Sequence, residues 1–153
     1  MRERVAVAFL LPLRLFTGWV FMTAGLSKLF AGWLDKPELA HVLSGWLAQG
    51  LPYRFYAPFL RNVVLPHAKV FSVLIVFGEI AVGVALLAGL FSRLAALGGL
   101  VLVTAFLLGR GDGASANATA PFIAMTITLA LTSPGRALGL DGALRGKVPG
   151  WLS

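Results

Sequence analysis

The stretch PHAKVFSVLIVFGEIAVGVALLAGLF, from Pro66 to Phe91, decides the architecture. It is apolar for longer than the ~20 residues a helix needs to cross a ~30 Å hydrocarbon layer. Glu79 is the acid embedded in it, and Pro66 suits a first helical turn, where its missing N–H costs nothing. Comparable apolar character recurs at 5–30, 92–109 and 118–132. A tight turn, Gly89-Leu-Phe-Ser-Arg93, must reverse the chain between the second and third of these stretches. The fourth carries Thr119, Thr126, Thr128 and Thr132, whose hydroxyls can bond back to helix carbonyls and so permit insertion. The expected fold is an all-α integral membrane four-helix bundle, with a three-span arrangement as the alternative if the fourth stretch lies on the surface. One membrane domain over 1–135 would be followed by a basic, loosely ordered tail over 136–153.

Composition points the same way. Hydrophobic residues make up 58% of the chain, charged residues 12%, and the mean hydropathy is +0.87. A soluble domain would carry about a quarter of its residues charged. The formal charge of +7 comes from basic residues set singly at the ends of apolar runs, which suits anchoring at headgroups and argues against nucleic acid. No cysteine is present, which excludes disulfides, thiolate-ligated clusters and the usual structural zinc sites. Met1-Arg-Glu-Arg4 imitates the start of a secretory signal, but the following run is too long and is interrupted by Arg14, so a retained helix is expected.

Between the first two spans, residues 35–64 read as an interfacial elbow. Asp35-Lys-Pro-Glu38 looks like a helix start, with Asp35 as cap and Glu38 three residues on. Leu39, Val42, Leu43, Trp46 and Leu47 then form an apolar stripe opposite Glu38, His41, Ser44 and Gln49. Such a helix should lie in the membrane plane. Tyr53, Phe55, Tyr56 and Phe59 continue it, with Pro58 expected to break the piece in two; Trp46, Tyr53 and Tyr56 are the expected interfacial anchors. The segment 109–117 reads as a polar glycine-rich loop without a nucleotide-binding pattern.

Charges inside hydrocarbon are rare and informative. Counted from the ends of their apolar runs, Arg14 and Glu79 lie about 13 Å and 18 Å from one membrane face, so an Arg14–Glu79 contact is expected. Arg14, Gly18, Phe21, Gly25 and Lys28 share one meridian of the first span, as do Glu79 and Gly83 on the second. Gly18, Gly25 and Gly83 should therefore allow close helix approach. The charge pair either locks two helices in register or, with Lys28, lines a polar pocket for a small amphiphile such as a quinone headgroup, or serves a proton-carrying step. His41 and His67 fall at the interface rather than within facing spans, so neither haem nor metal is expected. No catalytic set is discernible, and no covalent or metal-held cofactor is expected.

Two motifs carry a resemblance. Arg14-x3-Gly18-x2-Phe21-x3-Gly25-x2-Lys28 resembles the first span of the DoxX/DoxD family of small four-span membrane proteins. Gly78-Glu-Ile-Ala-Val-Gly83, followed by Leu86-Leu-Ala-Gly-Leu-Phe-Ser-Arg93, resembles that family's second span and turn. The resemblance implies a four-helix membrane domain. It also implies kinship with the membrane part of thiosulfate:quinone oxidoreductase and with accessory subunits of redox or detoxification assemblies. The function expected is a non-catalytic membrane subunit that anchors or stabilises an electron-transfer complex and borders a quinone or lipid site. Its partners would be membrane lipids and redox-complex subunits, not nucleic acid. A quinone-binding subunit of an oxidoreductase and a small solute or proton transporter are the alternatives. The expected location is the cell membrane, with termini in the cytoplasm because the shorter connections lie on that side.

Overall fold

The computed structural model describes residues 9–111, 113–132, 135 and 139–143, and every regular element among them is helical. Helix α1 spans Leu11–Phe30, with Pro12 in its first turn and Lys28 in its last, where a cation complements the helix dipole. The expected start of this helix at 5–8 lies outside the described residues. The chain then turns at Gly32, which has φ 85°. Helix α2 covers Glu38–Ala48. Its N-cap is Pro37, without a side-chain cap hydrogen bond, so the expected Asp35 capping box does not form. Asp35 instead belongs to the preceding turn, donating its N–H to the Gly32 carbonyl, while Glu38 faces the helix dipole from the first turn.

The stripe of α2 is buried as its period requires, but against protein. Leu39 and Leu43 pack with Leu60 and Val64, flanked by Trp46, Leu47, Phe71 and Ile75. His41, Ser44 and Gln49 stay exposed. After a turn around Tyr53, α3 occupies Ala57–Phe59 and widens into a π turn over Leu60–Val64, closed by the Leu65 N–H on the Leu60 carbonyl at 2.8 Å. Pro58 therefore opens a helical segment rather than breaking one, because the first turn needs no N–H from it.

Helix α4 spans Ala68–Ala88 and α5 spans Ser92–Arg110. Gly89, at φ 65°, ends α4, with the Leu90 N–H returning to the Ala85 carbonyl at 2.9 Å. Phe91 follows at φ 48°, a left-handed conformation that costs a side-chain-bearing residue roughly 1–2 kcal/mol. Helix α6 runs over Gly113–Thr132, longer than the expected 118–132, so most of the segment read as a loop is helix. Its Pro121 lies inside the helix, where it removes one backbone bond. A short α7, Leu140–Ala143, comes last.

Helix α1 lies along α4, α4 along α5 and α5 along α6, with α6 touching α1. Phe21, Val82, Leu86, Ala95, Ala96, Leu129 and Ala130 form the core between them. Helices α4 and α5 are long and apolar enough to cross a membrane. Only 33% of the most apolar stretch of α4 and 28% of that of α5 is buried, so the remaining apolar surface faces outward. The expected spans in α1 and α6 have comparable length but are less apolar. Arg14 and Lys28 interrupt α1, and α6 carries Asn117 and the hydroxyls of Thr119, Thr126, Thr128 and Thr132.

Candidate functional site

The glycines of α1 and α4 set everything that follows. A β-carbon added at Gly18 would meet Leu86 and Leu87, one at Gly25 would meet Glu79 and Ile80, and one at Gly83 would meet Met22. The two helices are thus antiparallel and nearly in backbone contact, as the seam of Gly18, Gly25 and Gly83 predicts. This register puts Lys28 beside Glu79. Lys28 Nζ donates to both carboxylate oxygens, at 2.8 Å and 2.7 Å. The Glu79 side chain is 6% exposed and that of Lys28 18%. The ammonium also lies 5.2 Å from the Phe106 ring centre and 5.7 Å from that of Trp33, so two aromatic faces share its charge.

The expected Arg14–Glu79 contact is therefore corrected. Arg14 sits in the first turn of α1, level with the α4–α5 turn and about 18 Å along the axis from Glu79 at 1.5 Å per residue. Depths counted from the ends of apolar runs misjudged the register, which the glycine contacts fix instead.

Arg14 belongs to a second polar cluster. Its Nη1 lies over Gly89 and Gly139, and the Asp141 carboxylate is close enough to act on its charge. Asp141, 3% exposed, accepts from the Phe91 N–H at 2.6 Å, the Ser92 N–H at 2.9 Å and the Ser92 hydroxyl at 2.7 Å. Its own N–H donates to the Gly89 carbonyl at 2.9 Å, and the Gly135 N–H donates to Ser92 Oγ at 3.2 Å. A carboxylate thus caps the α5 N-terminus and holds the strained Phe91. Residues 139–143, expected within a loose tail, are docked here; 136–138 and 144–153 lie outside the described residues. Asp141→Ala is expected to lower stability by about 1–2 kcal/mol, the upper range for a lost cap. Asp141→Asn should lose less, and thermal denaturation in detergent would rank the two.

A cavity of about 330 Å³ lies between the elbow and helices α4 and α5. Leu43 and Trp46 of α2 and Tyr56 and Leu60 of the elbow form one wall. Phe71 and Ile75 of α4, with Leu102, Phe106 and Gly109 of α5, form the other. Arg14, Lys28 and Glu79 are not among its lining residues, so the expected headgroup pocket built on these three is not where this cavity lies. Phe106 alone joins the two, lining the cavity and covering Lys28. Burial pushes the Tyr56 phenol above its usual pKa and keeps it neutral. The anchor Tyr53 is exposed, while Trp46 lies inward against Gly109. His41 and His67 are both exposed, and no cluster of metal-ligating side chains occurs among the described residues.

Sequence reasoning passed over Asp141, Ser92, Trp33 and Phe106. Asp141 gives no local signal, since its partners lie 49 and 50 residues upstream.

Among the described residues every regular element is helical, two helices are membrane-capable, and an ion pair joins α1 to one of them, an arrangement that suits a small membrane protein. The family model for DoxX matches residues 9–110, covering α1 through α5, and the chain belongs to the DoxX family. No solved structure matches it.

Proposed function

We propose that this chain is a four-span DoxX membrane subunit, without catalysis of its own, that anchors a larger electron-transfer complex and borders a quinone or lipid site. In this reading α1, α4, α5 and α6 cross the cell membrane and the termini face the cytoplasm. The observation that carries it is the apolar cavity under the elbow, lying beside the Lys28–Glu79 pair through Phe106. Helix-packing surfaces and a site for a hydrophobic molecule suit a subunit that positions others. The outward apolar faces of α4 and α5 give such partners a surface within the bilayer.

Extraction of native membranes in mild detergent, purification of this chain and mass spectrometry of whatever travels with it would test the reading. Stoichiometric cofactor-bearing subunits are the expected result. A homogeneous particle of this chain alone, turning over a substrate or carrying a solute into liposomes, would overturn it.

A further inference from the structure

We infer that the cavity under the elbow holds one acyl chain of an anionic phospholipid, whose phosphate is met by Arg54 and Arg61. This rests on the membrane-subunit reading and names the ligand of its site. The cavity walls offer hydrocarbon and aromatic rings, with the Tyr56 phenol and the Trp46 indole as the polar handles. Such a space gives water too few partners to hold it, whereas an alkyl chain fits. Phe59, Leu74 and Val101 line it while remaining 40%, 59% and 69% exposed, so its mouth is continuous with the outward apolar surface. In a bilayer, that mouth opens on acyl chains.

Charge supplies the selectivity. From Leu39 to Gly78 the chain carries Arg54, Arg61 and Lys69 and no acid. All three basic residues are exposed; Arg54 falls within the ring row Tyr53, Phe55, Tyr56 and Phe59, and Arg61 follows it by two residues. Successive rings in that row lie 6.0, 6.4 and 5.3 Å apart. Aromatic rings beside exposed cations fit the headgroup layer, and guanidinium groups bind phosphate well. A quinone headgroup would enter a space that neither Lys28 nor Glu79 lines.

Trp46 lines the cavity and can report on its contents. Trp19, Trp33 and Trp151 would be replaced with Phe in the full chain, which would be placed in nanodiscs of phosphatidylcholine. Dibrominated phosphatidylglycerol, or dibrominated phosphatidylcholine as control, would be added in steps. Quenching of Trp46 that saturates at a low fraction of the anionic lipid, and not with the control, is expected. Arg54→Ala and Arg61→Ala should each raise the half-saturating fraction about fivefold, the effect of one basic residue near an anionic membrane surface. Ala105→Phe, which narrows the cavity, should abolish the saturable phase.

Equal, linear quenching by both lipids would overturn the site. So would saturable quenching by decylubiquinone that the anionic lipid fails to displace. The assay needs no redox partner, so losing the electron-transfer reading leaves its result intact. Failure of the chain to enter nanodiscs would remove the membrane reading on which both rest.

Discussion

Lys28→Met should lower stability by about 3–5 kcal/mol, the range for removing one partner of a buried ion pair. The loss comes less from the vanished attraction than from Glu79, whose side chain is 6% exposed and accepts hydrogen bonds from Lys28 alone among the described residues. Glu79→Gln should lose less. Lys28 sits near the end of α1 with 18% of its side chain exposed, so its long stem can carry the charge outward. The double variant Lys28→Met/Glu79→Met should recover most of the loss, because well-packed apolar side chains can replace such a pair. Unfolding of the purified protein by denaturing detergent would measure all three. A double variant no more stable than Lys28→Met alone would show that the two residues do not act as a pair.

The next largest effect is expected along the α1–α4 seam. An added methyl at Gly83 would lie 2.6 Å from the Met22 nitrogen and 2.8 Å from its Cα, both backbone atoms that cannot step aside. Gly83→Ala must therefore push the helices apart, at a cost of about 1–3 kcal/mol or more. Gly25→Ala should follow, since it meets the movable Cγ1 of Ile80 at 2.7 Å but also the Ile80 nitrogen at 2.9 Å. Gly18→Ala, with contacts of 3.0 and 3.1 Å, should be milder. On the same helix as Gly83, Gly78 faces only Leu102 at 3.6 Å, and Gly78→Ala should be close to neutral. Gly45 meets nothing within 4 Å, so Gly45→Ala should stabilise α2 by about 0.5–1 kcal/mol through helix propensity. Equal effects at Gly83 and Gly78 would contradict the close approach of α1 to α4.

What periodicity could reveal, it did. Gly18, Phe21 and Gly25 share a meridian in the sequence and are buried together, and the stripe of α2 turns Leu39 and Leu43 inward. Relative depth was beyond its reach. Each helix carries its own ruler, and only contacts between helices align the two, so Glu79 was assigned Arg14 in place of Lys28. The direction in which the α2 stripe faces was also hidden, because an apolar face looks the same whether lipid or Val64 covers it. Helix α6 begins at Gly113, earlier than the sequence suggests, because the glycine and polar residues of 109–117 read as a loop and obscure the helix-favouring Ala114 and Ala116. The cavity itself arises where three separate segments meet, and no local pattern announces it.

The Asp141 cap also governs when the molecule can be finished. The α4–α5 turn is synthesised well before its acceptor, which arrives 49 residues after Ser92. Until then the Ser92 hydroxyl and the Phe91 and Ser92 N–H groups lack the carboxylate that holds them in the folded protein. Closure of the α4–α5 hairpin therefore waits until Asp141 has left the ribosome, well after the hairpin itself has been made. A product cut short before Asp141 would keep both membrane-capable helices yet leave the turn between them without the carboxylate that closes it.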